Sequence, residues 1–352
     1  MDGPSLAEAL FGKKADEVWQ DREVRFDVAP AQLQCRRGEE VLETFDPVED
    51  TKGNNGEAGR LTLTNLRLTW RSSKQARTSI TMGLDAITSL AVRPVSSRLK
   101  GTADALYVMA RQNQQRFEFI FTDLTERQPG LAAALQALVA AYEASRPYRE
   151  LRLRGALLVD KELKLLPREV AYSRVDGVSN LSSEAGNLGA LYITNVRMVW
   201  HSKMAASFNV SIPYLQIKTV RIADSKFGLA LVVETSAASG GYVLGFRVDP
   251  KETLEYVHKE MSSLLQAYAN CPLFGVEYDA NASAEAHPSK PHEDESDILE
   301  PEGAKGDAWA AYYADGASAG GAAGEPVFSA ELGLAIEAPK DGASIQQLWS
   351  IL

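Results

Sequence analysis

The sequence predicts a mainly β protein with capping helices, in which one small domain occurs twice and a partly disordered acidic tail follows. The segment GRLTLTNLRLTWRS at 59–72 returns as GALYITNVRMVWHS at 189–202, an offset of 130 residues with 7 of 14 positions identical. Apolar residues alternate with period two through each copy and recur at helical spacing at its end. Because solenoid repeats are only roughly 20–50 residues long, the offset indicates a duplicated domain.

The repeated segment predicts a β-hairpin. Apolar and polar residues alternate before Asn65, the phase shifts by one residue there, and the alternation resumes as far as Trp70. Since Asn tolerates the left-handed conformation of tight turns, the turn is predicted at Asn65 and at Asn195 in the second copy. Trp70 and Trp200 are predicted to fill the two cores. Further strands are predicted at 80–82, 87–92, 106–109 and 116–121, and at 210–212, 217–222, 229–233 and 242–248.

Each copy ends in an amphipathic helix. In DPKETLEYVHKEMSSLLQAY the apolar residues form one stripe, with Asp249 as the predicted N-cap, Pro250 in the first turn and Glu252 as the capping-box partner. The helix of the first copy follows Pro129, where the capping signal is weaker.

Short antiparallel strands closed by one helix over the open end of a barrel are typical of the pleckstrin-homology superfold. The sequence therefore predicts tandem pleckstrin-homology-like barrels at 19–146 and 150–272. The acidic tail occupies 277–352, where 15 acidic and 3 basic residues give a net charge of −12. The whole chain has a net charge of −10, so the two barrels together are nearly neutral.

Apolar islands interrupt the tail at 309–313, 326–337 and 344–352. Such islands in a solvated acidic segment are predicted to dock on a partner surface or on the same chain. The predicted docking residues are Trp309, Tyr312, Tyr313, Phe328, Ile345, Leu348, Trp349 and Leu352.

Nothing in the sequence predicts catalysis, a metal site or a cofactor. The two cysteines, Cys35 and Cys271, lie far apart without a CxxC motif, and HExxH, GxSxG and P-loop motifs are absent. The four histidines are expected at the surface. No stretch has the ~18 uncharged apolar residues that a membrane helix needs.

Binding of anionic lipid is the better prediction, because this superfold commonly holds lipid headgroups between basic loops. Arg98 and Lys226 form the most equivalent basic pair of the two copies, whereas Arg67 and Arg197 are predicted to pair with a neighbouring acid on the sheet. The loops before the repeated hairpins contain few bases, which weakens the prediction of a headgroup pocket. The candidate lipid-binding residues are Arg71, Lys74, Arg77, Arg98, Lys100, Lys203 and Lys226.

Long consecutive segments resemble one family. TKGNNGEAGRLTLTNLRLTW, NLSSEAGNLGALYITNVRMVWH, FNVSIPYLQIK, DSKFGLALVVE, SGGYVLGF and the ending EPVFSAELGLAIE are similar to the Bardet–Biedl syndrome 5 protein family, from about Trp19 to the C-terminus. The resemblance implies a non-enzymatic subunit of the BBSome, a coat-like complex that moves membrane proteins into and out of cilia. It also implies two pleckstrin-homology-like domains that bind phosphoinositides at the basal body and ciliary membrane.

Two functional hypotheses remain open. In the first, the tandem domains bind phosphoinositide membranes peripherally, and the tail binds other BBSome subunits; an Arf-like GTPase and intraflagellar transport particles are indirect partners. In the second, the chain is a structural scaffold whose domains bind other subunits, and lipid binding is vestigial. The location expected under both is the cilium, basal body and cytoplasm, and neither involves nucleic acid.

Overall fold

Two eight-stranded antiparallel sheets with matching strand order form the two copies. The computed structural model of the chain describes residues 21–125, 127–155, 157–159, 162–181, 187–205, 207–279, 326–329 and 334–337. The first sheet has the order β1-β5-β4-β3-β2-β8-β7-β6, and the second has the equivalent order β9-β15-β14-β13-β12-β18-β17-β16. A helix follows the last strand of each copy along the chain, so the predicted mainly β architecture with two closing helices is confirmed.

The elements of the first copy are β1 (Val24–Phe26), α1 (Pro30–Leu33), β2 (Val41–Asp50), β3 (Ala58–Thr64), β4 (Arg67–Ser72), β5 (Ser79–Gly83), β6 (Ile87–Ser97), β7 (Gly101–Gln112), β8 (Gln115–Asp123) and α2 (Leu131–Ala144). Those of the second are β9 (Arg152–Leu153), β10 (Leu158–Val159), β11 (Glu162–Leu163), β12 (Ala171–Asn180), β13 (Asn187–Thr194), β14 (Arg197–Ser202), β15 (Asn209–Pro213), β16 (Ile217–Ser225), β17 (Gly228–Thr235), β18 (Val243–Arg247) and α3 (Lys251–Asn270). All the predicted strands are present, and β2 and β12 are the long strands that the sequence pattern does not predict.

The two tryptophans of the repeat lie in the cores, as predicted. Trp70 and Trp200 are both fully buried. Their Nε1 groups donate to Val48 O and Val178 O, each at 3.0 Å, which satisfies the polar end of each indole. The two copies therefore use the same core residue with the same hydrogen bond.

A buried ion pair is the second element that both copies share. Arg67 Nε donates to Glu39 Oε1 at 2.7 Å, and Arg197 Nε donates to Glu169 Oε1 at 2.7 Å. All four side chains are at most 2% exposed. Both arginines thus pair with an acid as predicted, although the acid comes from the loop before β2 or β12 and not from a strand.

The hairpin turns lie where the sequence predicts them, but for a different reason. Neither Asn65 nor Asn195 is among the described residues with a positive φ. Instead the Asn65 side chain accepts from Glu40 N at 3.0 Å and donates to Gly38 O at 2.9 Å. The Asn195 side chain binds the corresponding loop in the second copy. These amides hold the loop that supplies the buried acid.

The predicted capping box of the last helix is wrong. α3 begins at Lys251 with Pro250 as its N-cap residue, and no side chain at the cap bonds to the helix. The Asp249 carboxylate instead forms an ion pair with Arg247 Nε at 2.8 Å, which removes it from the helix terminus. Both helices nevertheless bury the predicted apolar stripe against their sheets.

The segment that follows each helix packs on the opposite copy. Tyr148, after α2, donates a hydrogen bond to Pro167 O in the second copy. Tyr278, which lies 130 residues later, donates to Glu43 Oε1 on β2 of the first copy at 3.3 Å. The two copies therefore exchange equivalent segments across their interface.

Two glycines permit this close approach. A Cβ on Gly38 would lie 2.6 Å from Pro272 O and 2.9 Å from the Phe274 ring, and a Cβ on Gly275 would lie 2.2 Å from the Tyr148 ring. Both glycines also have a positive φ, 72° and 68° respectively. A larger side chain at Gly38 would push the segment after α3 away from the first copy, and one at Gly275 would push the two exchanged segments apart.

A buried carboxyl lies where the first copy meets the connecting segment. Asp21 is 1% exposed, the Tyr142 hydroxyl donates to its Oδ2, and Arg149 Nε lies 3.9 Å from the same oxygen. The Arg149 guanidinium also lies 3.6 Å from the Tyr142 ring centroid. Burial raises the pKa of Asp21 to about 6, with Asp85 acting in the same direction and Tyr142, Arg22 and Arg149 opposing it.

The described residues of the tail include one pair of strands. β19 (Pro326–Ser329) and β20 (Leu334–Glu337) pair antiparallel, with Phe328 opposite Ala335. The predicted docking segments 309–313 and 344–352 lie outside the described residues, as do Trp309, Tyr312, Tyr313, Ile345, Leu348, Trp349 and Leu352.

Candidate functional site

The seven bases that the sequence singles out are all exposed and lie at four places. One group lies on and after β4, one at the tip of the β6–β7 hairpin, one after β14, and one at the tip of the β16–β17 hairpin. In that order they are Arg71, Lys74 and Arg77; Arg98 and Lys100; Lys203; and Lys226.

A depression of about 670 Å³ opens on the outer face of β3 and β4 in the first copy, and we call it the outer-face depression. Segment 33–35 borders it on one side. Two arginines, a lysine and a row of hydroxyl groups line it: Arg60, Arg71, Lys74, Thr62, Thr64, Thr69, Ser72 and Ser73. The Thr64 and Ser72 hydroxyls already donate to Glu39 Oε1 and Glu57 Oε2, both at 2.8 Å. The donors that suit an anionic oxygen are therefore the guanidinium groups and the other hydroxyls.

The positive charge of the outer-face depression is only partly compensated. Arg60 and Arg71 are directly opposite each other in the β3–β4 register. Arg60 Nε lies 2.8 Å from Asp46 Oδ2, and Lys74 Nζ lies 4.0 Å from Glu57 Oε1. Arg71 forms no ion pair with the described part of the chain. A phosphate placed here would meet the Arg71 guanidinium, which has no acidic partner among the described residues, and two bases, Arg60 and Lys74, that each lie beside a carboxylate.

A second depression, of about 540 Å³, lies between the β2–β3 loop and the end of β6, and we call it the hairpin-side depression. Its two bases already have partners within the chain. Lys52 Nζ lies 2.7 Å from Glu118 Oε2, and Arg98 Nη1 donates to Asn55 O at 2.8 Å. The buried Glu49 carboxylate also lies in its wall, so this depression is less suited to an anion.

In the second copy the outer face of the sheet is closed. Ala190, Tyr192 and Val199 occupy the positions that are polar in the outer-face depression, at an offset of 130 residues. Leu157, just before β10, and Leu163, on β11, pack on them in one apolar cluster. The two copies therefore share a fold but differ in which of them presents an open polar face.

The expected surface location of His201 is wrong. His201 stands at the position of Arg71, but it is 6% exposed and its ring centroid lies 5.7 Å from that of Tyr192. Its Nε2 has no hydrogen-bond partner among the described residues. Lys203, two residues on, lies 3.6 Å from Asp176 Oδ1. Burial and pairing leave no open basic site on this face.

Arg60 is a residue of the outer-face depression that the sequence pattern does not predict. The hairpin register provides the signal that would have found it, because Leu61 pairs with Trp70 and the preceding residue must then face Arg71. The remaining predicted bases are separate from this group: Lys100 Nζ donates to Asp123 O at 3.0 Å, and Lys226 lies in the other copy.

No group of three or more His, Cys, Asp or Glu side chains within the described residues is arranged to hold a metal ion. Cys35 and Cys271 are both free and exposed. Among the described helices, none has the length and apolar character to cross a bilayer.

The chain matches two family models. Residues 39–144 match the model of the Bardet–Biedl syndrome 5 protein N-terminal PH-like domain, and residues 152–278 match that of the second PH-like domain. Both copies of the internal repeat are thus pleckstrin-homology-like domains, which confirms the predicted fold class and the resemblance.

Similar proteins occur in several animals. The chain is 48% identical over 338 residues to the BBSome complex member BBS5 of Danio rerio and, at the same identity and length, to that of Homo sapiens. Each alignment covers 96% of this chain and 98% of the relative. BBSome complex member bbs-5 of Caenorhabditis elegans is 41% identical over 352 residues, which covers 96% of this chain and 97% of the relative.

Proposed function

The chain belongs to the Bardet–Biedl syndrome 5 protein family, and on this premise we propose that it is a non-enzymatic BBSome subunit that acts in ciliary membrane-protein trafficking. Its partners are other BBSome subunits, and its indirect partners are an Arf-like GTPase and intraflagellar transport particles. It works peripherally at the ciliary membrane and basal body, and also in the cytoplasm. The names of its relatives and its two pleckstrin-homology-like domains support this proposal.

We further propose that the outer-face depression binds the headgroup of a phosphoinositide. The observation that supports it is the opposed pair Arg60 and Arg71, with Arg71 lacking an acidic partner among the described residues. Lys74 and Arg77 lie in the loop that follows β4 and extend the basic surface. The closed face of the second copy favours headgroup binding by the first copy.

Reversing the charge at this depression is expected to weaken membrane binding. The full-length R71E/K74E variant should partition at least about tenfold more weakly onto phosphatidylcholine vesicles that contain phosphatidylinositol phosphates. The reason is that each base near an anionic surface contributes about 1 kcal/mol. Wild-type binding should also fall as salt is added, since exposed charges are screened. Vesicle sedimentation measures both effects.

A matched control removes the same charge elsewhere. K251E/K259E changes two exposed lysines on α3, away from the outer-face depression, and is expected to bind like the wild type. Equal loss in both double variants would show a general charge effect and contradict a headgroup site at Arg71. Wild-type sedimentation that is equal with and without phosphoinositide would contradict lipid recognition as such.

The scaffold hypothesis is the second candidate function. It is favoured by Lys203, which lies 3.6 Å from Asp176 Oδ1, and by the few bases in the loops before the repeated hairpins. In this case, vesicles would not bind the chain at physiological salt, and the other subunits would cover both domains.

The C-terminal segment 344–352 is proposed to bind another subunit under either hypothesis. Its deletion is expected to lower co-purification of the chain with the complex by about tenfold, the loss expected when a few buried apolar anchors are removed. Vesicle sedimentation of the same variant should stay unchanged. Deletion of an apolar-poor stretch of similar length, residues 316–324, serves as the control. Undiminished co-purification after removal of 344–352 would contradict the docking role.

A further inference from the structure

Each copy ends its edge hairpin in a tip that combines a serine, a base and an exposed apolar residue. The first tip (97–101) contains Ser97, Arg98 and Leu99, and the second tip (225–228) contains Ser225, Lys226 and Phe227. We propose that the two tips insert their apolar side chains into the interfacial layer of an anionic bilayer. This inference rests on the proposed membrane function and adds an apolar anchor to its electrostatic contact.

Each tip lies where its two strands extend beyond the next strand of the sheet. In the first copy β8 pairs with β7 only from Leu106 onward, so the strand ends around the first tip pair with each other alone. In the second copy β18 pairs with β17 only from Leu231 onward. The first tip lies against β2 and the β2–β3 loop, where Glu49 and Asn55 accept hydrogen bonds from Arg98. The second tip is a two-stranded turn at the edge of its sheet.

The apolar side chains at the tips are open to solvent. Leu99 is 52% exposed, Phe227 is 57% exposed, and Leu229 beside the second tip is 37% exposed. Large apolar side chains that are about half exposed at a turn contribute little to the core of their own domain. An apolar group with bases beside it matches the chemistry of a bilayer interface.

The backbone of each tip is held in place before any membrane contact. Ser97 Oγ accepts from Leu99 N at 3.2 Å, and Ser225 Oγ accepts from Phe227 N at 3.1 Å. In the first tip the buried Glu49 carboxylate also accepts from the backbone amide of Arg98 at 2.9 Å. Insertion would therefore cost little ordering of the backbone.

The bases beside the first tip keep their charge available. The Arg98 and Lys100 side chains donate to backbone carbonyls, those of Asn55 and Asp123, and these acceptors are neutral. The Glu49 carboxylate, which contacts the tip, accepts hydrogen bonds from the tip backbone and from Ser97 Oγ.

The second tip has a different charge balance. It has Lys226 with Asp224 on the adjoining strand end, and two exposed apolar residues, Phe227 and Leu229. The first tip is therefore the more electrostatic contact, and the second tip is the more apolar one.

The two tips differ in backbone but agree in chemistry. Ser97 pairs with Gly101 across a three-residue loop, whereas Ser225 pairs with Gly228 across a two-residue loop. A pocket on a protein would discriminate between these shapes. A bilayer requires only an apolar end near cations, which is why we assign the tips to a lipid surface and not to a protein partner.

The test measures insertion separately from adsorption. The full-length wild type, L99S, F227S and L99S/F227S are injected beneath monolayers of phosphatidylcholine, phosphatidylserine and phosphatidylinositol monophosphates, and the same proteins are sedimented with vesicles of that composition. Y256S, which removes an aromatic residue that is 61% exposed on α3, is the matched control. Unchanged thermal unfolding of each variant shows that the fold is intact.

The wild type and Y256S are expected to raise the surface pressure, and L99S/F227S is expected to abolish that rise while its vesicle partitioning falls about tenfold. The remaining adsorption of L99S/F227S to vesicles should still weaken with added salt, because it uses the bases of the outer-face depression. A wild type that sediments without raising the pressure, or a double variant that inserts fully, would overturn insertion and leave the proposed function standing. A wild type that neither inserts nor sediments would overturn both. If L99S/F227S inserts as the wild type does but no longer co-purifies with partner subunits, the tips bind a protein and the proposal is overturned.

Discussion

Replacing Glu169 by alanine is expected to lower the free energy of unfolding by about 3–5 kcal/mol, because removal of one partner leaves a buried charge uncompensated. Arg197 is 1% exposed, and Glu169 supplies both of its carboxylate contacts, at 2.7 and 2.9 Å. The remaining partners of the guanidinium, Ser211 Oγ and Lys164 O, are neutral and more distant, at 3.2 and 3.1 Å. Equilibrium urea denaturation followed by circular dichroism measures the change.

An exposed ion pair in the same copy provides the control. Arg221 and Glu234 lie 3.0 Å apart, with 55% and 28% of their side chains exposed. E234A is expected to change the stability by less than about 1 kcal/mol, as is usual for surface pairs. A similar small loss for Glu169→Ala would show that solvent reaches the buried pair. The equivalent change in the first copy, Glu39→Ala, should repeat the large effect.

Asp21 is expected to make the protein less stable as the pH rises from about 4 to about 6. Burial raises its folded-state pKa from the ordinary value of 3.8 to about 6, so the folded chain binds a proton in this window that the unfolded chain has already lost. The stability from this group is therefore complete below about pH 4 and is lost as the pH rises through 6. A shift of this size corresponds to about 3 kcal/mol.

Asp21→Asn removes this titration while leaving an oxygen to accept from the Tyr142 hydroxyl. The difference in unfolding free energy between wild type and D21N should change by about 2–3 kcal/mol between pH 4 and pH 7. The wild type should become less stable relative to D21N as the pH rises. D176N, at an exposed carboxylate, should stay parallel to the wild type. If D21N and wild type also run parallel, the carboxyl is already ionised at low pH and the predicted direction is wrong.

The repeated hairpin can be predicted from sequence because apolar and polar residues alternate regularly within each of its strands. The strands β2 and β12 cannot be predicted in this way because they contain bulges. In β2 the register shifts between Val41 and Glu43, and again between Phe45 and Val48. The second copy has its shifts at the equivalent places in β12. Each extra residue reverses which side of the strand faces the core, so a period-two search loses the pattern.

The candidate site is only half readable for a related reason. Arg71 and Lys74 stand out as bases after a predicted strand, and the hairpin register leads to Arg60. The state of the same face in the second copy depends on Leu157 and Leu163, which reach it only through the fold of the chain. For that reason the burial of His201 does not follow from its neighbours in sequence.

The exchange of segments between the copies makes each barrel dependent on peptide encoded in the other half of the chain. Tyr148 and Phe274 each shelter a loop that belongs to the opposite domain. A fragment that contains one copy would keep its strands and helix. The loop before β2 or β12 would, however, lose the residues of the opposite copy that cover it. We therefore expect a single repeat to be less stable alone than it is beside its partner repeat in the full chain.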